Sequence, residues 1–495
     1  MKDKILLYYP PYAGPPLGPP LSLLSLASPL LAAGFRVTVI DSAIVPDPEK
    51  AIAREIGDAL CFGVSLLTGP MILSTLRAAE LVRSLRPDLP IIFGGWHPSL
   101  LPAQTLESSL CDIVVRGQGE VTLLEIAERL REGKNLEGVA GCGATLRGEK
   151  VDNPGRPVAP MNDLPPAAFQ LADFDAYERV CGVRKLPYAS SVGCPYACNY
   201  CTDMVFYKRR FNAYKADRVV DEVTSLVGRY QLDEVAFLDS NFPVDVERAM
   251  AIARGFAESK VKFRWTFQAS TDLLCRMNDE EVQLLGAAGV SHMGFGTESA
   301  SEEVLAQMNK KHQRIDDMFE TARKAEKAGI RLTFNLILGY PGETERDRIQ
   351  TFQIMSEISR RHRNVRFSPN VFTPYPGIPI WPELKELGVH EPQSLEEWST
   401  VALGSNHLPW LQGDELKRLK RMLEYFLLHN QIQKGGPWFR SGLRRMLDVP
   451  LQWRLRKSRY AFPWELWVAR TTERLVARRS LLTGQPLSQG IHEVC

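Results

Sequence analysis

The sequence predicts an α/β protein: an N-terminal doubly wound parallel sheet, then a partial (β/α)6 barrel, then a mostly helical C-terminal region. Three observations carry this expectation. Short β-rich runs alternate with helically spaced apolar segments, in two separate series. A Pro- and Asn-rich stretch divides the series, and a C-x3-C-x2-C loop opens the second. At 495 residues the chain also exceeds what one hydrophobic core organises.

In the first series, strand-like runs fall at Lys4 to Tyr9, Arg36 to Asp41, Leu60 to Ser65, Ile91 to Gly94 and Ile113 to Arg116. Helical spacing holds around Leu21 to Ala33, Pro48 to Gly57, Pro70 to Ser84 and Glu120 to Arg131. Sheets of this kind bind ligands beyond the carboxyl ends of their strands. Four of the five ends carry permissive residues: Pro10 to Gly14, Ser65 to Gly69, Gly94 to Pro98 and Gly117 to Glu120. Glycines there let backbone approach a large ligand. No G-x-G-x-x-G follows the first strand and no G-x-x-x-x-G-K-[ST] occurs, which argues against dinucleotide and P-loop sites.

Pro154, Pro157, Pro160, Pro165 and Pro166 mark a linker, so the first domain is expected over residues 1–150 and the linker over 151–184. The second series places strands at Ala189 to Val192, Glu234 to Leu238, Phe263 to Ala269, Ser291 to Gly296, Arg331 to Leu338 and Val365 to Thr373, with helical stretches between. That is six β/α units, two fewer than a closed barrel, expected over 185–385 with their site at the strands' carboxyl ends.

The cysteine loop, Ser191 to Cys201, follows the first of these strands. Gly193 and Pro195 flank Cys194 and deny the segment a regular helix. Three thiolates suit a soft metal or an iron-sulfur cluster. They are one short of the four that a closed zinc site or an ordinary ferredoxin cluster takes, which leaves one metal position for a substrate. From spacing alone, three buried thiols, or a zinc site completed by a distant His or Cys, remain open.

Hydrophobic content of 44% and charged content of 24% are those of a globular protein, and no run of eighteen uncharged apolar residues appears. Ile5 to Pro10 is too short an apolar run for a signal peptide. With no export signal, nine cysteines are expected as reduced thiols in the cytoplasm.

The Cys motif, with Tyr200 before its third thiol and a six-unit β/α series behind it, resembles the radical S-adenosylmethionine (SAM) superfamily. Companions at other strand ends agree: Phe237 to Asn241, Gly294 to Ser299 and Gly339 to Glu343. With the doubly wound domain in front, residues 1 to about 382 resemble its cobalamin-binding subgroup. The resemblance implies a four-iron four-sulfur cluster on Cys194, Cys198 and Cys201, with SAM chelating the fourth iron and cleaved to a 5'-deoxyadenosyl radical. It further implies SAM contacts from Tyr200, Asp239, Ser240, Asn241, Gln268, Ser270, Glu298, Gly339 and Pro341. Cobalamin would be held by Pro11, Ser65, Thr68, Gly94, Gly95, Gly117 and Glu120. The D-x-H-x-x-G that supplies a lower His ligand in some relatives is missing, so cobalamin without a His ligand is expected, and His97 is read as structural or tail-contacting.

Beyond Pro382 composition becomes the guide. From Gln412 to Cys495 there are sixteen basic and seven acidic residues, interleaved with Trp438, Phe439, Trp453, Tyr460, Phe462, Trp464 and Trp467. This suits an interfacial helix on anionic lipid, an acidic substrate or nucleic acid, or helices packed on the barrel with charged faces in water. The region is assigned to 386–495.

The expected activity is methyl transfer from methylcobalamin to an unactivated carbon of a lipid-like or secondary-metabolite substrate. Within the same family the alternative is radical cyclisation or rearrangement without methyl transfer; from another class, a non-catalytic cobalamin or cluster carrier. An electron donor such as flavodoxin or ferredoxin is implied, peripheral contact with the inner membrane face is expected of the tail, and no nucleic-acid partner is.

Overall fold

The computed structural model describes residues 3–471 except 13, 15, 147, 403–407, 435–440, 458, 461 and 470. Trp438 and Phe439 lie outside the described residues.

The first sheet is built from β1 (Lys4–Tyr9), β2 (Arg36–Asp41), β3 (Ala59–Ser65), β4 (Ile91–Gly94), β5 (Ile113–Val115), β6 (Cys142–Leu146) and β7 (Glu149–Asp152). They lie in the order β2-β1-β3-β4-β5-β6-β7. The first five run parallel, as expected, and the order reverses between β1 and β3. Strand alternation sends Leu6, Phe62 and Phe93 into one apolar layer and Ile5, Leu7, Cys61 and Ile92 into the other, so both faces are covered by helices. The antiparallel hairpin β6–β7 was not anticipated. It caps the sheet with an edge strand carrying Glu149, Lys150 and Asp152, a charged edge that resists further pairing and lacks the apolar alternation by which strands are read.

The second sheet contains β8 (Lys185–Tyr188); after it come β9 (Ser191–Val192) and β10 (Asn212–Ala213), which form a separate antiparallel ribbon. The sheet continues through β11 (Glu234–Phe237), β12 (Arg264–Ala269), β13 (Val290–Glu298), β14 (Arg331–Leu338) and β15 (Val365–Val371). Its order, β15-β14-β13-β12-β11-β8, is sequential and parallel throughout, and β8 and β15 do not pair, so the barrel is open. Its first strand lies about four residues earlier than the sequence suggested. Pro187 argues against a strand, yet β8 is an edge strand, where a missing N–H is tolerated.

Register shows what the barrel encloses. Gln268, Gly294, Thr333 and Arg366 stand side by side, and Gly296, Asn335 and Ser368 form the next row. Their neighbours along the strands, Phe267, Phe295, Phe334 and Phe367, are buried under the outer helices. The apolar mass is therefore outside the sheet, and the lumen is lined with small and polar groups suited to a polar ligand.

The connecting segment is tied down. Helix Phe174–Cys181, capped by Asp173, sends the Tyr177 hydroxyl to Asp41 at the end of β2. The C-terminal region packs against both sheets: Trp398 is fully buried between His97 and Trp381, and helix Gly413–Lys434 seats Phe426 against Phe352 and Phe367. Among the described residues no helix is long and apolar enough to cross a membrane.

Candidate functional site

The cysteine loop begins with a turn that a glycine must make. Gly193 has φ +78°, and a Cβ there would lie 2.0 Å from the Arg210 carbonyl oxygen. Gly193→Ala is expected to cost more than about 2 kcal/mol in a denaturant titration and to lower the iron bound per chain.

Downstream, Asn199 clamps the loop to the barrel. Its backbone N–H donates to Met308 O at 3.2 Å, its side-chain amide to Gln307 O at 2.8 Å, and it accepts from the Tyr340 hydroxyl at 2.7 Å. Asn309 returns a bond to Ala197 O at 2.7 Å. The loop is thus held by the residues after β13 and β14, which fixes the three thiols relative to the lumen.

Burial raises the pKa of all three thiols, Cys201 to about 12, so without a cation they stay protonated. Around Cys194 the N–H of Tyr196 and the Asn241 amide, 3.9 Å from the sulfur, oppose that effect. Among the described residues no three His, Cys, Asp or Glu gather closely enough to hold a single metal ion. An iron-sulfur cluster takes its thiols at separate corners. The donor set fits an iron-sulfur cluster.

Most of the residues expected around SAM fall into four groups. Asn241 lies against Cys194 and exchanges hydrogen bonds with Ser270, through Nδ2 to Ser270 Oγ at 3.3 Å and from Ser270 N at 3.2 Å. Gln268 is exposed to the lumen, and its amide occupies the space that a side chain at Gly294 would fill. Glu298, with φ +59°, accepts from the Tyr200 hydroxyl at 2.9 Å and from Lys310 Nζ at 3.2 Å. Gly339 (φ +73°) donates its N–H to Glu343 at 2.5 Å, accepts from the Trp410 indole at 3.0 Å and is followed by buried Pro341.

Asp239 differs from expectation. It is 1% exposed, and its oxygens accept from Ser190 N at 2.8 Å, Ser190 Oγ at 2.6 Å and Ser191 Oγ at 2.5 Å. Its carboxylate anchors the root of the cysteine loop. Ser240 is exposed and donates to Asp203 at 2.6 Å. Asp239→Ala strands three buried donors and is expected to destabilise the protein by about 3 kcal/mol in chemical denaturation.

Sequence reasoning missed Lys310, and also Tyr196 with His312 and Asp272. Lys310 stands in Asn309-Lys310-Lys311-His312, a polar run that reads as a solvated surface, yet it is buried. Burial pulls its pKa down, but the neighbouring Glu298 carboxylate outweighs this and leaves it above the ordinary value, so it stays charged. The Tyr196 ring stacks on His312 at 3.6 Å and its hydroxyl donates to Asp272 at 2.5 Å. Asp272 Oδ1, His312 Nε2 and Thr271 Oγ1 are buried without a hydrogen-bond partner. Orphaned polar atoms beside the cysteine loop fit a polar ligand such as SAM.

At the carboxyl ends of the first sheet an open cleft holds about 990 Å³ of empty space. Gly63, Gly94, Gly95, Gly117 and Gly119 line it, so the absence of side chains makes the room. Glu120 lines it too, its carboxyl pKa raised by burial. A second cavity of about 810 Å³ lies between the two sheets, with Thr68, Trp96 and Leu100 on one side and Thr202, Tyr375 and Pro376 on the other. Pro11 and Ser65 line neither cavity. Pro11 is exposed on the loop after β1, and Ser65 is buried with its hydroxyl beneath Gly95. His97 is fully buried, shares a 3.0 Å hydrogen bond with Thr68 and packs edge-on against Trp398, while its Nε2 is buried without a hydrogen-bond partner. The glycine-lined cleft fits a large flat cofactor with a nucleotide tail.

The chain matches the family model described as the radical SAM superfamily over residues 188–355 and that described as the B12 binding domain over residues 15–127. It is 27% identical over 391 residues to an uncharacterized methyltransferase of Pyrococcus horikoshii, covering 76% of this chain and 82% of that protein. It is 24% identical over 475 residues to the anaerobic magnesium-protoporphyrin IX monomethyl ester cyclase of Synechocystis, covering 90% and 92%. The solved structure of OxsB, a cobalamin-dependent S-adenosylmethionine radical enzyme with aqua-cobalamin bound, shares the fold with a TM-score of 0.73 at 14% identity, over 98% of this chain and 76% of that one. The cofactors implied are a four-iron four-sulfur cluster and SAM for one domain and cobalamin for the other. With three loop thiols at the mouth of an open barrel and a glycine-lined cleft in the sheet before it, this chain carries a radical SAM domain with a B12-binding domain in front of it.

Proposed function

We propose that this protein is a cobalamin-dependent methyltransferase that acts on an unactivated carbon of a lipid-like or secondary-metabolite substrate. One observation carries the reading: the cleft of the first sheet runs up to Ala189, Val192, Phe206 and Tyr207, which bracket the cysteine loop, and the second cavity includes Thr202, next to Cys201. Both cavities thus reach residues beside the cysteine loop, a proximity that methyl transfer to a carbon radical needs. When bound, the cluster and SAM supply a 5'-deoxyadenosyl radical for hydrogen abstraction, and cobalamin supplies the methyl group.

Cys194, Cys198 and Cys201 hold the cluster. Asn241 with Ser270, Gln268, and Tyr200 with Glu298 and Lys310 orient SAM, and the Gly339 to Pro341 turn packs on it. Asp239 positions the loop instead of touching SAM. Gly94, Gly95, Gly117 and Glu120 would hold the cobalamin tail, without a His ligand, and Thr68 faces the cavity between the sheets. Trp96, Leu100, Tyr375 and Pro376 give that cavity an apolar wall suited to a lipid-like substrate. A low-potential electron donor such as flavodoxin or ferredoxin completes the system, and the protein works in the cytoplasm with its tail at the inner membrane face.

Product analysis under anaerobic conditions tests the assignment. Methyl transfer yields S-adenosylhomocysteine together with 5'-deoxyadenosine. 5'-Deoxyadenosine alone supports the second reading, oxidative cyclisation, which the 90% coverage by a cyclase relative favours. A chain that never cleaves SAM under strong reductant with its cluster intact overturns both.

A further inference from the structure

The C-terminal region leaves aromatic side chains in water and holds them there deliberately. Phe462 is 87% exposed, Val449 71%, Trp467 69%, Trp453 44% and Trp464 43%. Scattered apolar residues on a surface need no explanation, but five within nineteen positions make a patch. The backbone presents it: Phe462 sits at φ +52°, a conformation an aromatic residue does not choose for itself. The turn is fixed from below by Arg454, whose buried guanidinium donates to Phe462 O at 2.8 Å, Arg459 O at 3.0 Å and Glu465 at 2.5 Å, while the Tyr425 hydroxyl closes on Glu465 at 3.0 Å. A buried ion pair thus builds a rigid loop whose tip is an exposed ring.

Along this segment the exposed charges are of one sign. Among the described residues from 446 to 467 the exposed charged groups are Arg456, Lys457 and Arg459, while Glu465 is buried against Arg454 and Asp448 is half-buried beside His429. Tryptophan and phenylalanine flanked by cations are what the boundary between lipid headgroups and acyl chains accommodates.

We propose that the end of helix Ser441–Lys457 and the turn through Phe462 to Trp467 form a docking element for an anionic bilayer, the rings entering the headgroup boundary and the three cations resting on lipid phosphates. The proposal deepens the lipid-like-substrate reading above but does not depend on the reaction. Vesicle flotation of the full-length, anaerobically purified protein tests it. Wild type is expected to float with phosphatidylglycerol-containing vesicles and, about tenfold or more weaker, with phosphatidylcholine alone. Phe462→Ser with Trp467→Ser, and separately Arg456→Glu with Lys457→Glu, should each lower binding to anionic vesicles by a similar factor while SAM cleavage stays at the wild-type rate, which shows an intact fold. Failure of wild type to bind, variants that bind as well as wild type, or a Phe462→Ser/Trp467→Ser chain whose main change is conversion of a dimer to a monomer in sedimentation would overturn it, the last by showing that a second copy covers the patch. Loss of methyl transfer with vesicle binding intact would count against the proposed reaction alone.

Discussion

Cys198→Ala protein prepared without oxygen is expected to carry little iron and sulfide and to form 5'-deoxyadenosine at background, a loss of more than about a thousandfold. When chemistry depends wholly on one group, removing it costs several powers of ten. Of the three sulfurs, Cys198 is the most buried by surface exposure, 7% exposed and held between Asn199, fixed to the residues after β13, and Tyr200, fixed to Glu298. With it gone, two thiols remain, too few to hold a cube with one open corner. The same should hold for Cys194 and Cys201. The fold should survive, because no other part of the core rests on these sulfurs. Circular dichroism matching wild type together with lost iron is the outcome that separates a ligand from a structural thiol.

Lys310→Met is expected to be the second most damaging change. Lys310 is 5% exposed, and its ammonium lies 3.2 Å from Glu298 and 3.3 Å from the Tyr200 hydroxyl. Removing one member of a buried ion pair leaves the other charged and unpaired, at a cost of about 3 to 5 kcal/mol. Denaturant unfolding reads that cost directly. If the pair is its source, adding Glu298→Gln to Lys310→Met should restore much of the stability while SAM binding remains at least about tenfold weakened. A double variant that binds SAM as wild type does would show that the pair only supports the fold.

Both sheets were legible because their strands are apolar runs bounded by glycine and proline, and the metal loop because three cysteines at fixed spacing have few other uses. The edges were not. β8 contains a proline that only an edge position permits, and β7 is charged because an edge strand must be. Site residues were legible by position but not by direction. Asp239 sits at a strand's carboxyl end as a ligand contact would, yet its side chain turns down to Ser190 and Ser191. Lys310 carries no spacing signal, since what buries it is a carboxylate twelve residues away on β13. The aromatics of the tail divide between interior and surface. Tyr460 is buried, whereas Trp453, Phe462, Trp464 and Trp467 are not, a division that composition could not make.

Metal and cobalamin content of the wild-type chain bears most directly on the central claim, that three loop thiols hold a cluster with an open corner facing a B12 site. Purified without oxygen from cells supplied with cobalamin, the protein should contain about four iron, four sulfide and one cobalamin per chain. Stoichiometric zinc with neither iron nor sulfide would contradict it.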